Sequence, residues 1–170
     1  MSVTAAQGFV ASGVIAGIRP SGKADLALVR SVVPAVGAAM WTVNQVQAAP
    51  VTVSKRHLAA TQPQAIVINA GVANAATGAQ GEADAVATAA GVAAELGLAP
   101  EQVLVLSTGV IGVPLPVGKV LGGVRAAAST LSADGGEVAA AAILTTDSGP
   151  KIAVAAGSGF TVGGWRKVRG

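Results

Sequence analysis

Cysteine is absent from this 170-residue chain, which rules out disulfides and thiolate metal sites. Histidine occurs once, at His57, too few for a histidine zinc site and a poor basis for a Ser-His-Asp triad within the chain. Tyrosine is missing, and the aromatic fraction of 2% consists of Phe9, Trp41, Phe160 and Trp165. Charged residues amount to only 11%. No apolar run is long enough to cross a bilayer despite a mean hydropathy of +0.64. The longest such segment, Val32 to Val43, contains Pro34. No basic stretch precedes the first apolar residues, and Gly8, Gly13 and Gly17 interrupt them, which argues against a signal peptide. The expected compartment is the cytoplasm, with no membrane partner.

A pI near 9.8 invites a nucleic-acid reading, but the charge is badly placed for one. Arg166, Lys167 and Arg169 lie at the very end, and without them the formal net charge falls from +3 to 0. The other basic residues are scattered singly, with no aromatic platform beside them, so no nucleic-acid partner is expected.

What the chain does have is small and β-branched apolar residues, mostly Ala and Val, within an apolar content of 52%. Its length fits one domain with a real core. Residues 26–33, 38–43, 65–69, 103–107 and 152–156 are expected as strands, being short, rich in Val, Ile or Leu, and bounded by turn-forming residues. Several are apolar at consecutive positions, as in strands buried on both faces. Helices are expected over 82–96, with Gly97 as the stop, over 117–131, and over 136–144, with Asp134 as cap or first-turn acid. Strands with interspersed helices give an α/β class.

Three strings carry chemistry. Ser107-Thr108-Gly109-Val110-Ile111-Gly112 follows a strand; it offers a hydroxyl at Thr108 and, at Gly109, a backbone N–H that no Cβ shields. Two such donors suit a developing oxyanion, although Ser-Thr-Gly is also an ordinary turn. Thr145-Thr146-Asp147 closes an apolar helix, where hydroxyls often bond local backbone. Asn69 and Asn74 bracket a Gly-containing turn and suit buried backbone there. A fourth string, Gly17 to Lys23, matches the G-x-x-x-x-G-K phosphate loop. Ala24 then stands where that loop needs a hydroxyl, and Pro20 removes one of its N–H groups. It reads as a turn between strands.

Taken with GFVASGVIAGIRPSGKADLALV and VINAGVANAATGAQG, these strings resemble the ornithine acetyltransferase (glutamate N-acetyltransferase) family of arginine biosynthesis, from about Gly8 to Gly164. The resemblance implies a mixed sheet-and-helix architecture of that type. It also implies a transfer of acetyl from N-acetylornithine to glutamate through an acetyl-threonine intermediate, without metal or organic cofactor. The matching positions assign the oxyanion hole to Thr108 and Gly109 and substrate contacts to Thr145 and, by register, Lys167. In the family the nucleophilic Thr is freed by self-cleavage at an Ala-Thr bond, so that its own amine can serve as base. That residue lies beyond the family positions matched here. The resemblance therefore implies small amino-acid substrates, a rear segment needed for activity, a hetero-oligomer when complete, and apolar surface left uncovered in the front segment alone. Departures are Val72, where the family usually has an amide, and Gln45 and Gln47, where it usually has a basic residue.

After Gly164 the family typically continues Met-Ala-Lys-Gly, whereas this chain reads Trp165-Arg166-Lys167-Val168-Arg169-Gly170. A coding string for the family pattern, shortened by its first base, can be read as that tail followed by a stop. The expectation is an acetyltransferase segment over 1–164 and a divergent, frameshifted tail over 165–170. Either the chain works with a separately encoded rear segment, or it is a non-catalytic remnant.

Overall fold

Two strands buried on both faces set the architecture. In the computed structural model, which describes residues 2–167, β2 (Leu26–Ser31) and β3 (Ala65–Val72) occupy the middle of a four-stranded sheet. Their flanks are β1 (Phe9–Val14) and β4 (Val103–Val110), in the order β1-β2-β3-β4. The first two pairings are antiparallel, and β3 pairs with β4 in parallel. A parallel neighbour needs a crossover, and α2 (Gly78–Leu96) supplies it.

Alternation along the strands divides the core in two. Leu26, Leu28, Val67, Val103 and Val105 face α2 and α3 (Val117–Ser129), whose Ala89, Val92, Val120 and Val124 fill that side. Ala27, Val29 and Ile68 face the other way, toward Ala139 and Ala142 of α4 (Gly136–Ala142) and Ile143 beyond it. A separate hairpin, β5 (Ile152–Gly157) with β6 (Phe160–Trp165), follows α4, and Trp165 packs at the margin of the second cluster. The Ala- and Val-rich composition lets these layers approach closely. Gly123, for example, leaves no room for a Cβ beside Ala16.

The expected helices form, with boundaries shifted by a few residues: α2 starts four residues early and α3 ends at Ser129. Gly97 stops α2 in the left-handed conformation, φ 66°, with its N–H on Ala93 O. Asp134 does not cap α4; Gly135 holds that position without a side-chain bond. The strands expected at 65–69 and 103–107 each run three residues further.

The strand expected over 38–43 does not exist. Those residues are coil and all exposed but Trp41, which is half-buried, with Met40 fully exposed and Val43 at 98%. After Ser31 the chain leaves the sheet, and residues 38–43 pair with none of its strands. A strand needs an edge to pair with, and apolar composition does not provide one.

Helix α1 (Ala49–Ala60) is the element that apolar periodicity misses. Its buried face is Pro50, Val53, Ser54 and His57, helically spaced but half polar. The polarity has a purpose, since α1 lies along the outer edge of β4. Ser54 Oγ accepts from Val105 N–H (2.9 Å) and also lies 2.8 Å from Val105 O. His57 Nδ1 donates to Val103 O at 2.8 Å. Side chains thus take the place of a fifth strand and satisfy an edge that would otherwise bury unpaired backbone. Ser54→Ala improves helix propensity yet orphans the Val105 groups, so a net loss of about 1–3 kcal/mol is expected in urea unfolding. Wild-type stability in that variant would show that α1 is not the edge's partner.

Candidate active site

Strand β4 outlasts the helix that covers it. Val105 N–H and C=O point outward to α1, whereas Val110 O points inward and accepts from Ala73 N–H at 2.8 Å. The alternation of a ladder therefore carries the Gly109 N–H to the open side, past the end of α1's cover. The same alternation places the Thr108 side chain on the face that bears Leu104 and Leu106.

Gly109 makes this end of the sheet possible. It pairs in register with Gly71, and both have positive φ, 138° and 118°. A Cβ on Gly109 would overlap the Gly71 carbonyl and lie 2.6 Å from Val72 N. Neighbouring polar side chains fasten the strand ends. Ser107 Oγ donates to Asn69 Oδ1 at 2.6 Å, and the Asn69 amide donates to Val72 O at 2.8 Å. Asn74 donates to Gly81 O and accepts from Thr77 Oγ1. Both asparagines thus bond to structure around the turn.

The Gly17–Lys23 segment is a turn between β1 and β2, and it forms one wall of the site. Fully buried Asp25 accepts from Arg19 N–H (2.8 Å) within the loop and from Ala16 N–H (2.7 Å) just before it, so these groups are already engaged. The Arg19 guanidinium donates to Leu144 O at 2.6 Å and to Ala24 O. Arg19 therefore joins this wall to the residue just before Thr145.

Opposite stands a cluster from the chain's far end. Lys167 Nζ donates to Thr145 Oγ1 at 2.6 Å and to Asp147 Oδ2 at 2.8 Å. Lys151 Nζ reaches Asp147 Oδ1 at 3.3 Å. The Asp147 side chain is 1% exposed, so an ionised carboxylate there needs its cations.

Thr108, Gly109, Thr145 and Lys167 all line one cleft of about 920 Å³, walled also by Arg19, Gly71 and Ile111. Sequence reading named these four from two separate strings and a register; the fold brings them together. It missed Asp147 and Arg19. Asp147 was within reach as the third residue of its string, but nothing local tells a buried carboxylate from a solvated one. Arg19 sat inside the rejected phosphate motif. Gln45 and Gln47 lie outside the cleft lining, and Gln47 bonds to Thr42, Asn44 and Lys55. Val168 to Gly170 fall outside the described residues.

Chemically, the cleft offers a hydroxyl and a backbone N–H at one wall and two cationic side chains, Arg19 and Lys167, around it. That set suits an acceptor oxygen near Thr108 and Gly109 and a carboxylate near Lys167. Among the described residues no His, Cys, Asp and Glu groups cluster to hold a metal ion, and no helix is long and apolar enough to cross a membrane.

Comparisons with known proteins identify the relatives of this chain. The chain is 51% identical to the arginine biosynthesis bifunctional protein ArgJ of Streptomyces coelicolor and 48% identical to that of Thermobifida fusca, in each case over its whole length. It covers 45% of each relative, so it spans about half the length of the curated proteins it matches. A crystal structure of ornithine acetyltransferase complexed with ornithine, from Mycobacterium tuberculosis, superposes with a TM-score of 0.95 at 44% identity. That match covers 99% of this chain and 92% of the solved one. The ArgJ protein of Bacillus halodurans gives a TM-score of 0.89 at 38% identity, covering 100% and 91%. The model of the ArgJ family matches residues 10–170, and the chain belongs to that family.

Proposed function

We propose that this chain is the front segment of an acetyltransferase that moves acetyl from N-acetylornithine to glutamate by way of an acetyl-threonine. The observation that carries the reading is the convergence of Thr108 and Gly109 with Thr145 and Lys167 on one cleft. Thr108 Oγ1–H and Gly109 N–H stabilise the oxyanion of the tetrahedral intermediates on either side of the acyl-enzyme. Thr145 and Lys167 hold the substrate, with the ammonium drawing its carboxylate. The reacting hydroxyl comes from the remainder of the family's length, as a Thr freed by self-cleavage whose α-amine takes the proton.

Surface composition supports a partner segment. Val36, Met40, Val43 and Val46 are 84–100% exposed on the coil that precedes α1. So concentrated an apolar stretch is a contact surface awaiting cover. The assembled enzyme is proposed to be a cytoplasmic hetero-oligomer acting on small amino acids, with no organic cofactor or metal.

The test is exchange of labelled acetyl between N-acetylornithine and glutamate. The 170-residue product, verified by mass, is expected to show none; co-expression with the remaining segment of the Streptomyces coelicolor relative is expected to restore it. Exchange by the short product alone would place the nucleophile within this chain. Failure of the correctly assembled pair, with the freed Thr confirmed by mass, would count against the acetyl transfer itself.

A further inference from the structure

The Lys167 contacts have a direction. An ammonium only donates, so at 2.6 Å the Thr145 oxygen must be the acceptor. Its own hydrogen is then left over, and among the described residues no acceptor takes it. The cleft lies beside it. Behind Lys167 stands Asp147, a carboxylate only 1% exposed, against 25% for Lys167 and 42% for Lys151. Asp147 Oδ2 holds Lys167 at 2.8 Å and lies 3.5 Å from the Thr145 N–H. One buried carboxylate therefore touches both residues of the proposed substrate subsite, while Lys151 occupies its other oxygen from outside.

We propose that Asp147 is a positioning residue: by anchoring Lys167 against Thr145 it makes both present donors to the cleft, so the subsite accepts a carboxylate or acyl carbonyl and rejects an ammonium. This inference rests on the cleft being the substrate site. It adds the residue that sets this preference and an exclusion: the ammonium of a diamino acid must point elsewhere. Without Asp147, Lys167 would lose the bond that faces it, and Thr145 would be free to turn its hydroxyl either way.

The test uses the 170-residue chain with nitrogen-labelled lysine side chains, observed by NMR. Ammonium groups held by hydrogen bonds exchange slowly enough to give a signal, and Lys167 is expected to show one. Asp147→Asn should abolish that signal and, in the pair assembled with the remaining segment of the Streptomyces coelicolor relative, weaken binding of N-acetylglutamate roughly tenfold or more; Asp147→Glu should recover part of both. Lys151→Met should leave the Lys167 signal intact. Thr145→Val tests the same point without touching the buried charge: the signal should persist while N-acetylglutamate binding falls. An unchanged Lys167 signal in Asp147→Asn, or its loss in Thr145→Val, would overturn the proposal, as would 1,4-diaminobutane binding as tightly as N-acetylglutamate. If the wild-type assembled pair binds no carboxylate yet Asp147→Asn still releases Lys167, the substrate reading fails and the anchoring contact stands.

Discussion

Replacing Gly109 with Ala is expected to remove a large part of the stability of the fold, roughly 2–6 kcal/mol from forced backbone strain and overpacking together. The φ of 138° lies where side-chain-bearing residues rarely go, and the added methyl would meet backbone rather than a yielding side chain. Relief would require β3 and β4 to separate at Gly71 and Val72, breaking the ladder that places Thr108. Domains of this size are stable by about 5–15 kcal/mol, so the variant should be largely unfolded or melt far below wild type. Gly22→Ala is the control. Gly22 also has positive φ, 67°, but nothing lies within 4 Å of its added Cβ, so the cost should be only about 1–2 kcal/mol. Equal losses in the two variants would show that strain alone matters and that the close approach of Gly109 to Gly71 does not.

Thr108→Val should leave the fold nearly untouched and remove most of the activity of the assembled enzyme. Valine has the shape of threonine without the donor, and Thr108 is only half-buried at the strand's open end. Loss of one oxyanion donor costs about 10²–10³ in kcat, with the Gly109 N–H still in place. Since the oxyanion exists only in the transition state and the intermediates, KM should change little. Thr108→Ser keeps a hydroxyl and should regain much of the rate. A valine variant within threefold of wild-type kcat would remove Thr108 from the mechanism.

Sequence reading succeeded where information is local. Helix α2 stops at a glycine, as expected, and buries Ala85, Ala89, Val92, Ala93 and Leu96 at positions three and four apart, although Val86 and Ala90 are exposed. Strands β2, β3 and β4 are apolar at consecutive positions because helices cover both faces of the sheet. The segment 38–43 has the same local appearance and fails, for want of a neighbour to pair with. Strands β1 and β6 were overlooked because glycines break their patterns, at Gly13 and at Gly163-Gly164. Those glycines answer to close approach: Gly13 packs on the Val138 carbonyl and Gly163 on Ser2.

By itself the sequence determined what chemistry is open to this protein. Without cysteine, and with one histidine that turns out to bond backbone, no thiolate or imidazole nucleophile-base pair is on offer, and the remaining candidates are hydroxyls, amides and cations. It also determined the family through the Ser107–Gly112 and Thr145–Asp147 strings, because a strand-end turn and a helix terminus are written in adjacent residues. Only the tertiary structure decided that these strings face one another. Ser54 finds Val105 across 51 residues, Arg19 finds Leu144 across 125, and Lys167 finds Thr145 across 22. No periodicity encodes such partners. They are chosen by which backbone edge is left unpaired and which buried charge must be neutralised once the sheet has formed, and those needs exist only in the folded chain.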